Sequence, residues 1–234
     1  MSRKKILILD YSVSKFEASA IGQWMPQDAE VTSLFIDTEE SFPENLTEKG
    51  FTHVIHSGSE LSVTEDAPFT KRAIDFINEA RDQGIPQMGI CYGHQLLCRA
   101  LVGKHAVRKS PNGLEAGWDK VEFNEKATEL FGVQKNEVVW YHHFDEVIEL
   151  PEGSVPLATN GHTEIQSFIN TEQNLVGTQF HPEIDKETGD KIFRQDRKQL
   201  EAHNYSVEEL VKGSPSFDTG RVFFDYFLGE IERV

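Results

Sequence analysis

The sequence predicts an α/β fold: a doubly wound, mostly parallel central sheet with added antiparallel hairpins and a helical C-terminal extension. Three observations predict it. Apolar strand candidates alternate with helical patterns through residues 4–101, as in a parallel sheet that is covered on both faces. Short aromatic and β-branched segments fill residues 105–180 and are typical of antiparallel hairpins. The helical period returns after residue 185.

The first half of the chain alternates strands with helices. Strands are predicted at residues 4–10, 30–36, 52–56 and 86–90. Ser14 and Glu17 form a capping-box pattern, so a first helix is expected to begin there and to end before Pro26. A second helix is predicted over residues 67–81, because apolar residues recur on one face and Gly84 follows as a cap. Those apolar residues are Phe69, Ala73, Phe76, Ile77 and Ala80.

The second half reads as strands followed by helices. The strands are predicted at residues 105–109, 118–123, 138–141, 147–150, 154–159, 164–169 and 175–180, and the helices at about 186–202, 207–212 and 217–228. Residues 164–170 alternate strictly, so one face of that strand is expected to lie in water. The chain shows no internal repeat or low-complexity linker. We therefore expect a single domain over residues 1–234, with a core of about 4–184 and a helical extension of about 185–234.

Composition and charge exclude several classes of partner. The formal net charge of −16 argues against nucleic acid or an anionic membrane, and suits either solubility or docking to a basic protein surface. No apolar run is long enough to span a membrane, and the run at residues 6–9 is too short for a signal peptide. Cys91 and Cys98 are poorly placed to staple a fold, so a cytoplasmic location is expected.

A cysteine between two glycines marks the centre of the first half. Gly89, Cys91 and Gly93 lie between a predicted strand and a helix that Gly103 ends, which is the pattern of a nucleophile elbow with Cys in place of Ser. Such a turn exposes the sulfur at a helix N-terminus, where the dipole favours thiolate, and frees the N–H of Tyr92 for a developing oxyanion. The alternative is a tight turn with an inert buried thiol.

A second motif lies far along the chain, at His181, Pro182 and Glu183. His181 and Glu183 are two residues apart in what should be extended chain, so their side chains point the same way. Glu183 can then hold one imidazole nitrogen while the other faces Cys91. Alone, this segment predicts a surface turn. Together with the elbow, it predicts a cysteine nucleophile with its base.

The two motifs, at residues 89–95 and 179–183, resemble those of the class I glutamine amidotransferases. The resemblance covers about residues 4–184 and is nearest to the glutaminase part of GMP synthase. It implies a flavodoxin-like fold and a catalytic triad of Cys91, His181 and Glu183. It also implies hydrolysis of the glutamine side-chain amide to glutamate and ammonia through a γ-glutamyl thioester, with no cofactor and no metal.

The same resemblance implies an oxyanion hole and a substrate pocket. The oxyanion hole would use Tyr92 with Gly58 and Ser59, in a loop that usually reads Ser-Gly-Gly-Pro in relatives. Here Ser59 and Glu60 replace the last two residues of that loop. The residues that would bind substrate are Gln95, Gly117, Trp118 and His143. Cys98 is expected to be a core thiol, and the strand that holds Gln166 and Phe168 is expected to support the fold.

Several alternatives remain open from the sequence. No synthase module or Gly-rich phosphate loop is present, so ammonia would pass to a separate synthase subunit or water would be the acceptor. A γ-glutamyl peptide or conjugate hydrolase would use the same triad, and a non-catalytic regulatory module would keep only the fold. A zinc site at His142, His143 and Asp145 is disfavoured, because adjacent residues on a strand point to opposite faces. The segment 186–213 is expected to be a homodimer or partner surface, or a solvated addition.

Overall fold

The computed structural model describes residues 3–229, and its first strand shows why this segment is apolar. β1 (Lys5–Asp10) lies between two parallel neighbours, β2 (Glu30–Phe35) and β3 (His53–His56). Ile8 belongs to one buried cluster and Leu9 to another. Each face of the sheet therefore carries its own core, which explains an apolar strand without alternation.

The remaining elements follow in chain order. The strands are β4 (Gln87–Ile90), β5 (Val107–Lys109), β6 (Glu115–Phe123), β7 (Asn136–His143), β8 (Asp145–Val147), β9 (Val155–Thr159), β10 (Ser167–Asn170) and β11 (Leu175–Thr178). The helices are α1 (Glu17–Gly22), α2 (Thr70–Asp82), α3 (Tyr92–Leu101), α4 (Glu125–Phe131), α5 (Lys186–Gln195), α6 (Arg197–Ala202), α7 (Val207–Leu210) and α8 (Thr219–Phe227).

Nine strands form one mixed sheet in the order β2-β1-β3-β4-β11-β10-β9-β6-β7, and β5 pairs with β8 separately. Pairing is parallel from β2 to β11 and antiparallel from β11 to β7. The predicted fold class is confirmed: a doubly wound parallel half is extended by antiparallel strands. In such sheets, ligands bind beyond the carboxyl ends of the parallel strands.

The start of the first helix differs from the prediction. α1 begins at Glu17 with Phe16 as its N-cap, and no side chain caps it. The capping box at Ser14 and Glu17 is therefore wrong. Lys15 has a positive φ of 56°, which turns the chain before the helix, and the N–H of Phe16 donates to Ser12 Oγ at 3.1 Å.

One expectation fails in the antiparallel half, and one helix there is not predicted. All four residues of β10 are buried, so the prediction of a wet face is wrong. β10 lies between β9 and β11 and is covered on both sides, which alternation alone does not reveal.

The helix α4 lies where no helix is predicted. Its signals are Asn124, which caps the N–H of Ala127 at 3.0 Å, and the left-handed Gly132.

The C-terminal extension packs on the body of the protein. The helix predicted over residues 186–202 is two helices, α5 and α6, with Asp196 between them. Phe193 stacks on Trp140 with ring centroids 5.3 Å apart, and a Cβ on Gly189 would lie 2.7 Å from both Trp118 and Trp140. A solvated addition is therefore wrong for α5. A dimer or partner surface stays a prediction.

The last described helix returns to the N-terminal half. Phe223 and Phe224 on α8 are fully buried in the cluster that contains Ile8. Gly220 allows close contact, because a Cβ there would lie 2.4 Å from the ring of Trp24. No helix within residues 3–229 is both long enough and apolar enough to cross a membrane.

Candidate active site

Cys91 occupies the sharp turn between β4 and α3. Its backbone has φ 49° and ψ −103°, a conformation that a non-glycine residue holds only when its surroundings impose it. The flanking glycines permit the turn. A Cβ on Gly89 would lie 2.5 Å from the backbone of Gly93, and a Cβ on Gly93 would lie 2.2 Å from the carbonyl oxygen of His56. The predicted strand-to-helix elbow is present at Cys91.

Two neighbouring strands fix this elbow at the carboxyl edge of the sheet. β4 lies between β3 and β11. The N–H of Cys91 donates to the carbonyl of Thr178 at 2.7 Å, and the N–H of Gly93 donates to the carbonyl of Ser57 at 3.0 Å. Because parallel strands end at one edge, the loop after β3 and the segment after β11 both arrive beside Cys91.

The segment after β11 brings His181 and Glu183 to this edge. His181 Nδ1 and Glu183 Oε1 are 2.6 Å apart, and both side chains are buried. The N–H of His181 donates to the carbonyl of Trp140 at 3.1 Å, and the indole of Trp140 packs edge-on against the imidazole at 4.9 Å between centroids. The imidazole is therefore held from two sides, and its Nδ1 faces a carboxylate.

The other imidazole nitrogen, Nε2, faces the interior of the site. It is buried and makes no hydrogen bond within residues 3–229. Burial lowers the pKa of His181, but the nearby Cys91 outweighs burial and leaves the pKa raised. The thiol itself lies 4.0 Å from the carbonyl oxygen of His142. Cys91 and His181 thus act on one another electrostatically.

A second acid, Glu17, joins this group from the start of α1. Ligand atoms of Glu17, His181 and Glu183 all lie within 4.8 Å of one another. Burial and the neighbouring Glu183 raise the pKa of Glu17 well above its usual value. Burial raises the pKa of Glu183 to about 7, while a hydrogen bond from Glu17 opposes the rise. Like charges this close share a proton, and Glu17 carries it.

The sequence contains no usable signal for Glu17, because its partners lie at the other end of the chain. These three residues could also hold a metal ion by spacing alone, and they are the one group of His, Cys, Asp or Glu in the described part of the chain that meets that criterion. A direct bond between His181 Nδ1 and Glu183 leaves that nitrogen engaged with protein instead. The group is better suited to holding protons than a cation.

The loop after β3 carries the two departures from the family pattern, and both side chains brace it. Ser59 Oγ donates to the carbonyl of Tyr11 at 2.9 Å. The carboxylate of Glu60 accepts from the N–H groups of Val13 at 2.7 Å and Ser14 at 3.1 Å. These bonds tie the loop after β3 to the loop after β1. Where relatives have a proline that stiffens this loop, Glu60 instead holds the loop in place by hydrogen bonds to its neighbour.

The oxyanion-hole prediction concerns backbone N–H groups close to Cys91. Across residues 3–229, the N–H groups of Ser59 and Tyr92 have no acceptor in the protein. Gly58 lies against the imidazole, since a Cβ on it would lie 2.9 Å from His181 Cε1. A role in an oxyanion hole stays a prediction for Gly58, Ser59 and Tyr92.

Cys91 and His181 line one cavity of about 550 Å³. Gln95 and His143, two of the predicted substrate-binding residues, also line it. Gln95 Nε2 donates to the carbonyl of Asp145 at 2.7 Å and to Gln179 Oε1 at 2.9 Å, so its amide also supports the wall. Residues from α5 and α6 also line the cavity, and sequence reasoning does not include them.

His143 is tied into a buried polar network at the edge of the cavity. Its Nε2 lies 2.8 Å from Glu115 Oε2 and its Nδ1 lies 3.0 Å from the carbonyl oxygen of Asp145. A carbonyl only accepts, so Nδ1 carries a proton. Gln166 Nε2 also donates to Glu115 at 2.9 Å, which places this predicted support residue in the same network.

Gly117 and Trp118 lie elsewhere. Neither lines the cavity that contains Cys91. Gly117, with φ +144°, lies beneath α7, where a Cβ would meet Leu210 at 3.2 Å, and Trp118 Nε1 donates to Asp190 of α5 at 3.3 Å. The extension thus covers this segment, and its predicted contact with substrate stays a prediction.

The adjacent histidines on β7 diverge, as their strand positions require. His142 Nδ1 lies 3.7 Å from Asp196, whereas His143 contacts Glu115. Asp145 is engaged by the hydroxyl of Ser62 at 2.6 Å. His142, His143 and Asp145 therefore do not converge on a common point.

The fold is thus an α/β sheet with a cysteine at a strand-to-helix elbow and a histidine, His181, that lines the same cavity. The family description "Glutamine amidotransferase class-I" matches residues 8–199. The chain therefore belongs to the class I glutamine amidotransferase family.

Individual relatives agree with this assignment. The chain is 33% identical over 155 residues to one subunit of the glutamine-hydrolyzing GMP synthase of Sulfurisphaera tokodaii, covering 65% of this chain and 79% of that protein. It is 38% identical over 143 residues to the glutamine-hydrolyzing GMP synthase of Staphylococcus epidermidis, covering 60% of this chain and 26% of that one. The match therefore includes only about a quarter of the longer synthase.

Among solved structures, a glutamine amidotransferase from Thermotoga maritima superposes with a TM-score of 0.81 at 21% identity, covering 98% of both chains. This similarity includes the C-terminal helices and supports the fold described above.

Proposed function

We propose that the chain is a cysteine-dependent amide hydrolase that cleaves the side-chain amide of glutamine, or of a γ-glutamyl compound, to glutamate. The observation that carries the proposal is that Cys91 at the elbow and His181 line one cavity, with His181 Nδ1 paired to the buried Glu183. Glutamine amidotransferase is the family to which the chain belongs, and glutamine hydrolysis appears in the names of its relatives.

In this proposal, His181 accepts the proton of Cys91, and the sulfur attacks the side-chain carbonyl carbon. Glu183 holds Nδ1 and stabilises the imidazolium that forms. The raised pKa of His181 beside Cys91 supports this pairing. The C–N bond then breaks, His181 returns the proton to the leaving nitrogen, and a γ-glutamyl thioester remains. Water hydrolyses the thioester to glutamate and restores the thiol.

Charge on the carbonyl oxygen would be stabilised by backbone N–H groups of Tyr92 and the Gly58–Ser59 loop. The lack of acceptors for the N–H groups of Ser59 and Tyr92 within the described residues supports this role. Ser59 and Glu60 support it indirectly, because their hydrogen bonds hold the loop in place.

A separate polypeptide is proposed as the acceptor of ammonia when glutamine is the substrate. The support is that a relative of similar length is named as one subunit of GMP synthase. The acidic net charge suits a basic partner surface. A cytoplasmic location, a homodimer and the single-domain division stay predictions.

Glutamate release from glutamine tests the proposal directly. We expect Cys91→Ala to lose activity by at least about a thousandfold, because no nucleophile remains. Cys98→Ala is the matched control, since Cys98 is a fully buried thiol on α3, the helix that follows Cys91, and lies outside the cavity. Iodoacetamide should label Cys91 and abolish activity, while burial protects Cys98.

Two results would contradict the proposal. Equal rates for the wild type and Cys91→Ala would remove the covalent mechanism. No turnover of glutamine or any γ-glutamyl amide by the folded wild type would favour the non-catalytic module instead.

A further inference from the structure

One face of α5 lines the cavity of Cys91. Thr188, Lys191, Ile192 and Gln195 recur at helical spacings of three and four and all border this space. The opposite face of α5 is buried against the body of the protein, through Phe193 on Trp140. A helix anchored on one side and open to the nucleophile on the other forms part of the substrate pocket.

The cavity is larger than glutamine needs. Its volume is about 550 Å³. If each non-hydrogen atom takes roughly the 30 Å³ that a water occupies in the liquid, glutamine with about ten such atoms takes at most about 300 Å³. Nearly half of the space therefore lies beyond a bound glutamine.

The position of His181 indicates which side of the cavity receives the leaving group. His181 must reach the departing nitrogen to protonate it. Phe16 and Ile192 belong to one apolar cluster with Trp140, the residue that packs on His181, and both also line the cavity. The leaving-group side is therefore partly apolar.

Charge distinguishes Lys191 from the other residues that line the cavity. Glu60 accepts from the N–H groups of Val13 and Ser14, and Asp196 lies 3.7 Å from His142 Nδ1. Asp145 is already bonded to Ser62 and to the N–H of Val63. Lys191 lines the cavity beside Ile192 and takes part in none of the ion pairs within residues 3–229. It is a cation without a carboxylate.

We propose, resting on the proposed function, that the substrate is a γ-glutamyl amino acid whose leaving amine carries an apolar side chain and a free carboxylate. The apolar side chain would contact Phe16 and Ile192, and the carboxylate would pair with Lys191. Cys91 sulfur bonds to the γ-carbonyl carbon, the C–N bond breaks, and the free amino acid leaves with the proton from His181. Water then releases glutamate and regenerates the thiol.

The test compares kcat/KM for three substrates: glutamine, γ-glutamylphenylalanine and γ-glutamylphenylalanine amide, whose carboxylate is masked. We expect the acid to exceed both of the others by about tenfold or more, because a charge-assisted hydrogen bond to Lys191 is lost in the amide. Lys191→Met should bring the ratio of acid to amide to about one. Arg194→Met is the matched control, since Arg194 lies on the same helix outside the cavity.

Each outcome is decisive. A wild type that prefers glutamine, or that does not distinguish acid from amide, overturns the inference while leaving the proposed hydrolysis intact. In that case the part of the cavity beyond a bound glutamine would instead contact a protein partner. Loss of the acid preference in Arg194→Met as well as Lys191→Met would also overturn it, because general charge and not one contact would be responsible. Failure on all three substrates would instead count against the proposed function.

Discussion

Glu17 and Glu183 meet behind His181, and their contact sets the protonation of the site. Two buried carboxyl groups at this distance cannot both be ionised. Burial and Glu183 raise the pKa of Glu17, so Glu17 holds the shared proton and donates it in a hydrogen bond. That bond opposes the rise that burial causes in the pKa of Glu183. Glu17 thus acts as a positioning residue that keeps Glu183 ionised beside the imidazole.

The acid limb of the pH profile tests this role. We expect kcat/KM to fall as pH drops through about 7, because Glu183, whose pKa lies there, and His181 both gain protons. Glu17→Ala removes the donor, so the pKa of Glu183 should rise and the acid limb should move to higher pH. The measurement is kcat/KM for the best substrate between about pH 5 and 9, a range that brackets the Glu183 pKa of about 7.

Glu17→Gln is the conservative control, since its amide can still donate to Glu183. It should leave the acid limb near that of the wild type. A loss of activity in Glu17→Ala that is equal at every pH would mean that Glu17 only supports the fold.

At the scale of single residues, the sequence is informative where the residues that act together lie close to one another along the chain. Cys91 lies between glycines, and His181 and Glu183 lie two apart, so their spacing alone indicates how they could act. Glu17 and Trp140 reach the same site through tertiary packing. No local sequence pattern marks such residues, because their role depends on which residues they contact in the folded protein.

Among the elements, the elbow depends on glycine for steric reasons. A Cβ on Gly93 would lie 2.2 Å from the carbonyl oxygen of His56, and backbone cannot move aside as a side chain does. Gly93→Ala should therefore lower the free energy of unfolding by about 3 kcal/mol or more. Chemical denaturation measures this change.

Gly22→Ala is the matched comparison. Gly22 ends α1 and has no atom within 4 Å of the position of an added Cβ. It should be neutral or stabilising by about 0.5 kcal/mol, because alanine is the better helix former. Similar losses in both variants would mean that the tight approach at the elbow does not limit stability.

The elements also show where sequence patterns stop being predictive. The parallel strands and α2 are predicted closely, since burial on both faces or on one helical stripe leaves a clear period. β10 looks half-exposed in the sequence because Ser167 alternates with apolar neighbours, yet Ser167 is fully buried in the middle of the sheet. The break between α5 and α6 at Asp196 is invisible to periodicity, because both helices keep a compatible apolar face.

For the whole molecule, pH should act on stability through the same buried acids. A carboxyl group whose folded pKa is raised from 4.5 to about 7, as for Glu183, binds more protons folded than unfolded in that interval. Stability therefore falls as pH rises from about 4.5 to 7, by at most about 3 kcal/mol for this group alone. Glu17 has the same sign.

Thermal unfolding at about pH 5 and about pH 8 checks this sign, since these values lie on either side of the pKa of about 7. Glu17→Gln should raise Tm more at the higher pH, because the folded protein then no longer bears the free-energy cost of keeping one buried carboxyl group protonated. An equal shift of Tm at both values would contradict the assignment of the shared proton to Glu17.

The placement of α8 has a consequence for biosynthesis. Phe223 and Phe224 lie in one buried cluster with Ile8, far from it along the sequence. The places of these two rings in the cluster are filled only once residues 219–227 have been synthesised. We expect the nascent polypeptide to expose the apolar surface that α8 covers until then, and to depend on chaperone shelter during that interval.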